Sequence, residues 1–419
     1  MSIAGNLIRP LGRAHLQAIA ISPRVISRQN HTATSPNSQP GALHGVKILD
    51  LTRVLAGPFC TQILADYGAD VLKVENPKGG DDTRLWRTKT ENRIWKPSEK
   101  DVSAYFCAVN RNKRSVTLNL KHEKARDIIL RLAKWADVVV DNFIPGKMEE
   151  LGIGYETLKQ VNPSIIHASV TGYGAQGPYS RRAGYDVIAA AEAGLLHITG
   201  ESNGPPAKPG LGLTDMCTGL YLHGALLAAL YSRQQTGRGQ KIDGSLFETQ
   251  ISLLTNVAMS WLNNGESARD GELSIPFSNL CQLLGKPELV DDPRFKSNNA
   301  RVENRVALKD ILDDIFKGKT TNEWLDALEG SGMPYGPINN MEQVFSHPQT
   351  EARGMVRALP HQAAEKGEIK VLGNPVKFSE TSPQIRTQPP SLGEHTDTML
   401  EELGLSKEEI KELRSGNVL

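Results

Sequence analysis

Short apolar runs and amphipathic stretches alternate along this chain, and their order predicts an α/β architecture. Residues 46–51 (VKILDL) have the length and composition of a buried strand, 52–58 (TRVLAGP) of a loop, and 59–67 of a helix ended by Gly68. Residues 69–74 (ADVLKV) are a second strand. Strand, loop, helix, strand is the opening of a parallel sheet. The loop at 53–58 then lies at the carboxyl end of the first strand, where open α/β sheets bind ligands; an ordinary tight turn fits the same residues equally well.

Residues 79–100 are polar and loop-like, and NRNKRS (110–115) precedes a stretch of β character at 116–120. A helix is expected over 125–135, a strand over 137–140 with an exit loop at 142–143, and another strand over 165–170 (IIHASV). That strand runs into Gly172-Tyr-Gly-Ala-Gln-Gly177, a formal GxGxxG. Pro178 and the polar residues after it do not start a helix, so the stretch is a glycine turn and not a dinucleotide fingerprint. Helices follow at 187–196, 220–231, 302–316, 322–328 and 341–345, with a strand and helix over 242–261 and two short helices at the end.

Between the Gly/Pro loop 201–210 and the small, apolar helix 220–231 stands Asp215, in KPGLGLTDMCTG (208–219). A carboxylate where a loop enters a helix is either an N-terminal cap or a nucleophile held near backbone N–H groups. Position alone favours the cap.

Charge and composition narrow the classes. Lys and Arg number 48 against 47 Asp and Glu, which supplies no case for nucleic acid or a membrane surface as partner. Cys60, Cys107, Cys217 and Cys281 lack CxxC spacing, and the ten His form no HxH or HExxH, so neither a disulfide framework nor a metal site is suggested. No apolar run reaches the roughly 18 residues of a membrane helix. The first acidic residue is Asp50, while Arg9, Arg13, Arg24 and Arg28 are spaced among Leu, Ile, Ala and Ser. This is the composition of a mitochondrial transit peptide over residues 1–40, with cleavage between Arg28 and Gly41 and the mature chain in the matrix. A merely disordered tail is the alternative.

Eight stretches then stand together: LDLTRVLAGPFCTQILADYGADVLKVE, NRNKRS, DNFIPG, GYGAQGPY, the Asp215 turn, TGRGQK, GMPYGPINNMEQV and LGEHT. In order and spacing they resemble the class III CoA-transferases, the formyl-CoA and carnitine-CoA transferase type, over about residues 43–419. CAVNRNKRS, GKMEELGIGYE and AGYDVIAAAEAGLLHITGE are similar to the subgroup that exchanges CoA between succinyl-CoA and glutarate or 3-hydroxymethylglutarate.

The resemblance implies a Rossmann-like large domain built from both chain ends (41–235 and 341–419), a smaller α/β domain at 236–340, and an interlocked homodimer. It makes Asp215 the nucleophile and the CoA thioester a substrate, with no permanently bound cofactor. It places CoA against Leu55, Ala56, Asn76, Leu118, Asn119, Lys121, Asn142, Phe143, Ile144, Arg182 and Tyr185. An attacking Asp215 must be ionised, so a low pKa is expected. Arg111, Lys113 and Arg114 become candidates for holding phosphate or carboxylate. A dicarboxylate substrate needs a cation at its far end, with Arg111, Arg181 and Arg182 as candidates.

Three departures stand out. Glu150 occupies a position where members of the family have Arg, and Leu55 replaces a polar residue of the formyl-CoA enzymes. Between Trp261 and Ile275 a family segment of about a hairpin and a strand is absent near 272–276, which raises the alternative of a CoA-binding protein without activity. A racemase of the α-methylacyl-CoA type, on the same fold, is a further alternative; it needs a second acid/base, and Tyr185-Asp186 stands where those enzymes have His-Asp.

Overall fold

The computed structural model describes residues 40–201, 204–265 and 277–419. The expected transit peptide and the expected gap near 272–276 lie outside the described residues. Six strands, β1 (Lys47–Asp50), β2 (Asp70–Glu75), β3 (Lys113–Thr117), β4 (Val138–Asp141), β5 (Ile166–Thr171) and β6 (Lys241–Ser245), form one sheet in the order β3-β2-β1-β4-β5-β6. All five pairings are parallel. This is the strand order of dinucleotide-binding sheets, whose direction reverses between β1 and β4.

Side chains alternate across the sheet with the period of two that strands impose. Ile48, Val71, Val138, Val140, Ile166 and Ala168 face one buried layer, and Leu49, Leu72 and Val139 face the other. Among the described residues up to 264, ten helices follow in chain order: α1 (Ala56–Asp66), α2 (Ala104–Val109), α3 (Glu123–Trp135), α4 (Lys147–Glu150), α5 (Tyr155–Val161), α6 (Asp186–Glu192), α7 (Leu195–Ile198), α8 (Leu213–Thr236), α9 (Leu246–Leu253) and α10 (Thr255–Asn264). α1 and α8 cover the first face through Cys60, Leu64, Leu222, Leu226 and Ala229.

The second face is covered by α3 and α5 together with two helices from the far end of the chain, Thr396–Glu402 and Lys407–Ser415, which contribute Met399, Leu400, Ile410 and Leu413. Polar ties hold that return in place. The Thr117 amide donates to Thr396 Oγ1 at 3.0 Å, and the Asn119 amide to the Val418 carbonyl at 2.7 Å. The Rossmann-like layer is thus built from both chain ends.

Smaller clusters sit outside the sheet. An antiparallel hairpin, β7 (Val356–Pro360) and β8 (Glu368–Leu372), packs Leu359, Ile369 and Val371 with Trp95, Val102 and Cys107. It is absent from the elements expected above, because β7 buries only Leu359 and β8 only Ile369 and Val371. Phe277, Cys281, Leu289, Phe295 and Leu308 form another cluster.

Helix α8 is longer than expected. It starts at Leu213, not near 220, and by length and composition it is long and apolar enough to cross a membrane. In this fold it is a crossover helix between β5 and β6, packed along α1. Glycine makes that packing close: a Cβ at Gly219 would stand 2.7 Å from the Ala56 carbonyl oxygen.

Candidate active site

A crossover helix runs back along the sheet, so the first turn of α8 lies at the carboxyl end of the strands. Asp215 is in that turn. Its side chain caps nothing; Gly212 occupies the cap position. Instead the Asp215 amide donates to Asp186 Oδ2 at 3.0 Å, so the first residue of α6 satisfies one of the free amides of α8. The Asp215 carboxylate accepts no hydrogen bond from the described residues. It is half-buried at the positive end of a 24-residue helix.

The expectation of a low Asp215 pKa is overturned. Burial, and then the negative charge of Asp186, push it up to about 7. The helix end favours the anion, but two carboxylates sharing a poorly solvated turn oppose it.

The roof over this turn comes from the β1–α1 loop. Leu55, at the cap position of α1, packs so close to Gly212 that a Cβ there would stand 2.9 Å from Leu55 Cδ2. Tyr105 lies near this turn and makes an edge-to-face contact with Trp86 at 5.6 Å. Burial and the charges of Asp215, Asp186 and Asp81 raise the Tyr105 pKa, which marks its ring as a neighbour of the carboxylates. Sequence reasoning missed both aromatics. They sit within and just after a stretch that reads as polar loop but folds into 3-10 turns at Asp82–Leu85 and Lys89–Arg93 before α2.

The family model described as CoA-transferase family III matches residues 43–279 and 274–396, most of the chain. The chain belongs to CoA-transferase family III. An acyl-CoA transferase of Fusarium pseudograminearum is 53% identical over 93% of this chain and 91% of its own. The human succinyl-CoA:glutarate CoA-transferase is 42% identical, covering 90% of each chain. A crystal structure of a CAIB/BAIF family protein from Brucella suis superposes with a TM-score of 0.76 at 38% identity, over 87% of this chain and all of that one. The chain is accordingly a family III CoA-transferase, an enzyme whose substrates are CoA thioesters.

In this family III enzyme the expected CoA contacts fall in the segments that leave the carboxyl ends of β1 to β5, all in loops except Ala56, which is the buried first residue of α1. Leu55 and Ala56 follow β1, and Asn76, exposed, follows β2. Leu118, Asn119 and Lys121 follow β3. Of these only Lys121 is exposed; Leu118 points into the core, and Asn119 ties down the chain end. Asn142, Phe143 and Ile144 follow β4. Asn142 is occupied on both sides by the Arg53 backbone, accepting from its amide at 3.1 Å and donating to its carbonyl at 2.8 Å. Ile144 and Tyr185 are exposed. Arg182 pairs with Glu192 at 2.8 Å and lies over the rings of Tyr173 and Tyr179.

The cation run at 111–114 is not a receptor. Arg111 is buried in a two-point pair with Asp66 and donates to the Leu372 carbonyl. Lys113 is fully buried against Asp50 at 3.0 Å. Arg114 pairs with Asp70 and Glu402. Each cation is spent on a carboxylate of this fold, so Arg111 is also removed as a partner for the far end of a dicarboxylate. Gly172–Gly177 is a turn with no helix behind it, as its composition indicated; the Ala175 amide there donates to Asp243 at 2.9 Å.

Proposed function

We propose that this enzyme moves CoA from a dicarboxylyl-CoA, succinyl-CoA, to a dicarboxylate such as glutarate or 3-hydroxymethylglutarate, with Asp215 as nucleophile. The observation that carries this reading is the Asp215 carboxylate itself: half-buried, free of hydrogen bonds from the described residues, and at the amino end of α8.

In the first step a carboxylate oxygen of Asp215 attacks the thioester carbonyl. The C–S bond breaks, CoA leaves as thiolate, and a mixed anhydride forms. The thiolate then attacks the aspartyl carbonyl, releasing succinate and leaving an aspartyl-CoA thioester. The acceptor carboxylate attacks that thioester, and the released thiolate cleaves the second anhydride at the acceptor's carbonyl. The products are the new acyl-CoA and free Asp215. Amides of the Gly-rich turn are suited to the developing oxyanions, and Leu55 over Gly212 restricts access of water to the anhydride. CoA itself takes the loop edge described above, and the exposed Arg181 and Arg182 are the cations for the far carboxylate, Arg182 by exchanging its surface pair with Glu192.

The names of the human and mouse relatives support the succinyl and glutaryl groups. We further infer a mitochondrial matrix location from the acid-free, Arg-spaced N-terminus, and an interlocked homodimer. The family model matches in two stretches that meet at 274–279, which supports the loss of a family segment there.

The test is formation of glutaryl-CoA from succinyl-CoA and glutarate by wild type and by Asp215→Ala. The proposal expects turnover only in wild type, with CoA binding kept in the variant. Turnover by Asp215→Ala removes the nucleophile. A folded wild type that binds CoA but exchanges nothing is the outcome expected of an enzyme disabled by the missing segment.

A further inference from the structure

Val54 sits at φ 72°, in the left-handed region. For a β-branched residue this is a sterically disfavoured backbone, adopted only where surrounding structure imposes it. No glycine or asparagine at this position eases the turn, so the cause lies in the contacts around it.

Those contacts take up the polar backbone atoms of Thr52 and Arg53 and the Val54 amide. The Thr52 amide donates to Asp50 Oδ1 at 2.9 Å, and the Thr52 carbonyl accepts from Lys73 Nζ at 2.7 Å. Arg53 is held by Asn142, as described. The Val54 amide lies 3.2 Å from both carboxylate oxygens of Asp81. Asp81 is itself fixed from three sides. Lys73 Nζ is 2.9 Å away, the Thr83 amide and hydroxyl donate to its Oδ1, and its own amide donates to Glu75 Oε2 at 3.0 Å. Glu75 is held in turn by Arg84 and Ser115. Asp81 and Lys73 are both buried. Burial opposes the Asp81 charge, but Lys73 and the Thr83 amide outweigh it and keep the carboxyl below the usual range.

We propose that Asp81 is a positioning residue for CoA transfer: its buried carboxylate clamps the Val54 amide and so seats Leu55 and the start of α1 on the turn that carries Asp215. The proposal rests on the transferase reading above. Leu55 is the next residue along the chain, and its Cδ2 lies over Gly212, where an added Cβ would come within 2.9 Å of it. If Val54 relaxes to negative φ, Leu55 swings off that turn and water reaches the acyl carbonyl. Water then attacks the aspartyl thioester or the anhydride, giving carboxylic acid, with CoA thiol lost from the thioester, in place of transfer.

The test compares wild type, Asp81→Asn and the double variant Asp81→Asn/Val54→Gly. Succinyl-CoA is supplied with glutarate, and glutaryl-CoA and free CoA thiol are both quantified. Deuterium exchange is followed over residues 52–60, with β4 and β5 as internal reference. Asp81→Asn is expected to lower transfer roughly 10- to 100-fold, to raise the fraction of succinyl-CoA lost as free thiol, and to speed exchange over 52–60 alone. The added glycine reaches φ 72° without a clamp, so the double variant regains part of the transfer and of the partition. A merely structural role for Asp81 moves stability without moving the partition. Wild-type partition and exchange in folded Asp81→Asn overturn the proposal, as does a double variant no better than the single. If Asp81→Asn does not fold, Val54→Pro leaves the buried pair intact and removes the clamped N–H; wild-type partition and exchange in that variant overturn the proposal too. A wild type that forms no glutaryl-CoA contradicts the proposed succinyl–glutaryl exchange instead, and exchange over 52–60 then decides the clamp by itself.

Discussion

The carboxylate of Asp186 accepts a hydrogen bond from the backbone amide of Asp215 at 3.0 Å. One aspartate thereby fixes the turn that carries the other, while its charge works against ionisation of the residue it positions. Asp186→Asn separates the two effects, because the amide oxygen still accepts the bond and the charge is gone. With burial and then Asp186 raising the Asp215 pKa to about 7, wild-type kcat/KM should rise with pH through about 7. In Asp186→Asn that rise should move to lower pH while kcat on the plateau stays within a few-fold. An unmoved profile would show that Asp186 does not set the ionisation.

The same shift has a cost for stability. Asp215 has a folded pKa above its ordinary 3.8, so the folded state binds its proton more tightly than the unfolded state does. Folding stability is therefore lost as pH rises from about 4 to about 7, and the loss is constant above that. Asp215→Asn should abolish transfer and yet raise stability at pH 8, by on the order of 2 kcal/mol for a partly screened carboxyl. The advantage should shrink toward pH 5. Denaturant melts at the two pH values measure it, and equal stability of the two proteins at pH 8 would contradict the raised pKa.

Arg111 is predicted to matter for folding and not for substrate choice. Arg111→Ala leaves Asp66 buried without its partner, which typically costs about 3–5 kcal/mol. Whatever fraction folds should keep a wild-type KM for the acceptor. Arg181→Ala or Arg182→Ala, at exposed positions, should do the opposite: little change in stability and a higher acceptor KM for at least one of them. An acceptor KM that rises only in Arg111→Ala would reverse this assignment.

The middle of the parallel sheet was legible because β1, β2 and β4 bury apolar residues on both faces and the helices carry 3.6-residue spacing, both local properties of the chain; β3 (KRSVT) is polar and starts three residues before the expected stretch. The Asp215 turn was legible as a site only through the company of its neighbouring motifs. What escaped was pairing over distance. NRNKRS reads as a free basic patch because the carboxylates that neutralise it, Asp50, Asp66 and Asp70, lie 44 to 63 residues earlier in the chain. The start of α8 was hidden because Gly212 and the Asp186 carboxylate cap it from outside any local signature. The left-handed Val54 is legible nowhere in its own stretch, since the carboxylate that holds its amide, Asp81, lies 27 residues further along the chain.

The most direct test of the central claim is the intact mass of the wild-type enzyme after mixing with succinyl-CoA in the absence of acceptor. An aspartyl-CoA thioester predicts a covalent CoA adduct that maps to Asp215, disappears with hydroxylamine, and is discharged to glutaryl-CoA when glutarate is added. Turnover to glutaryl-CoA with no adduct on Asp215, or with an adduct elsewhere, would contradict the account.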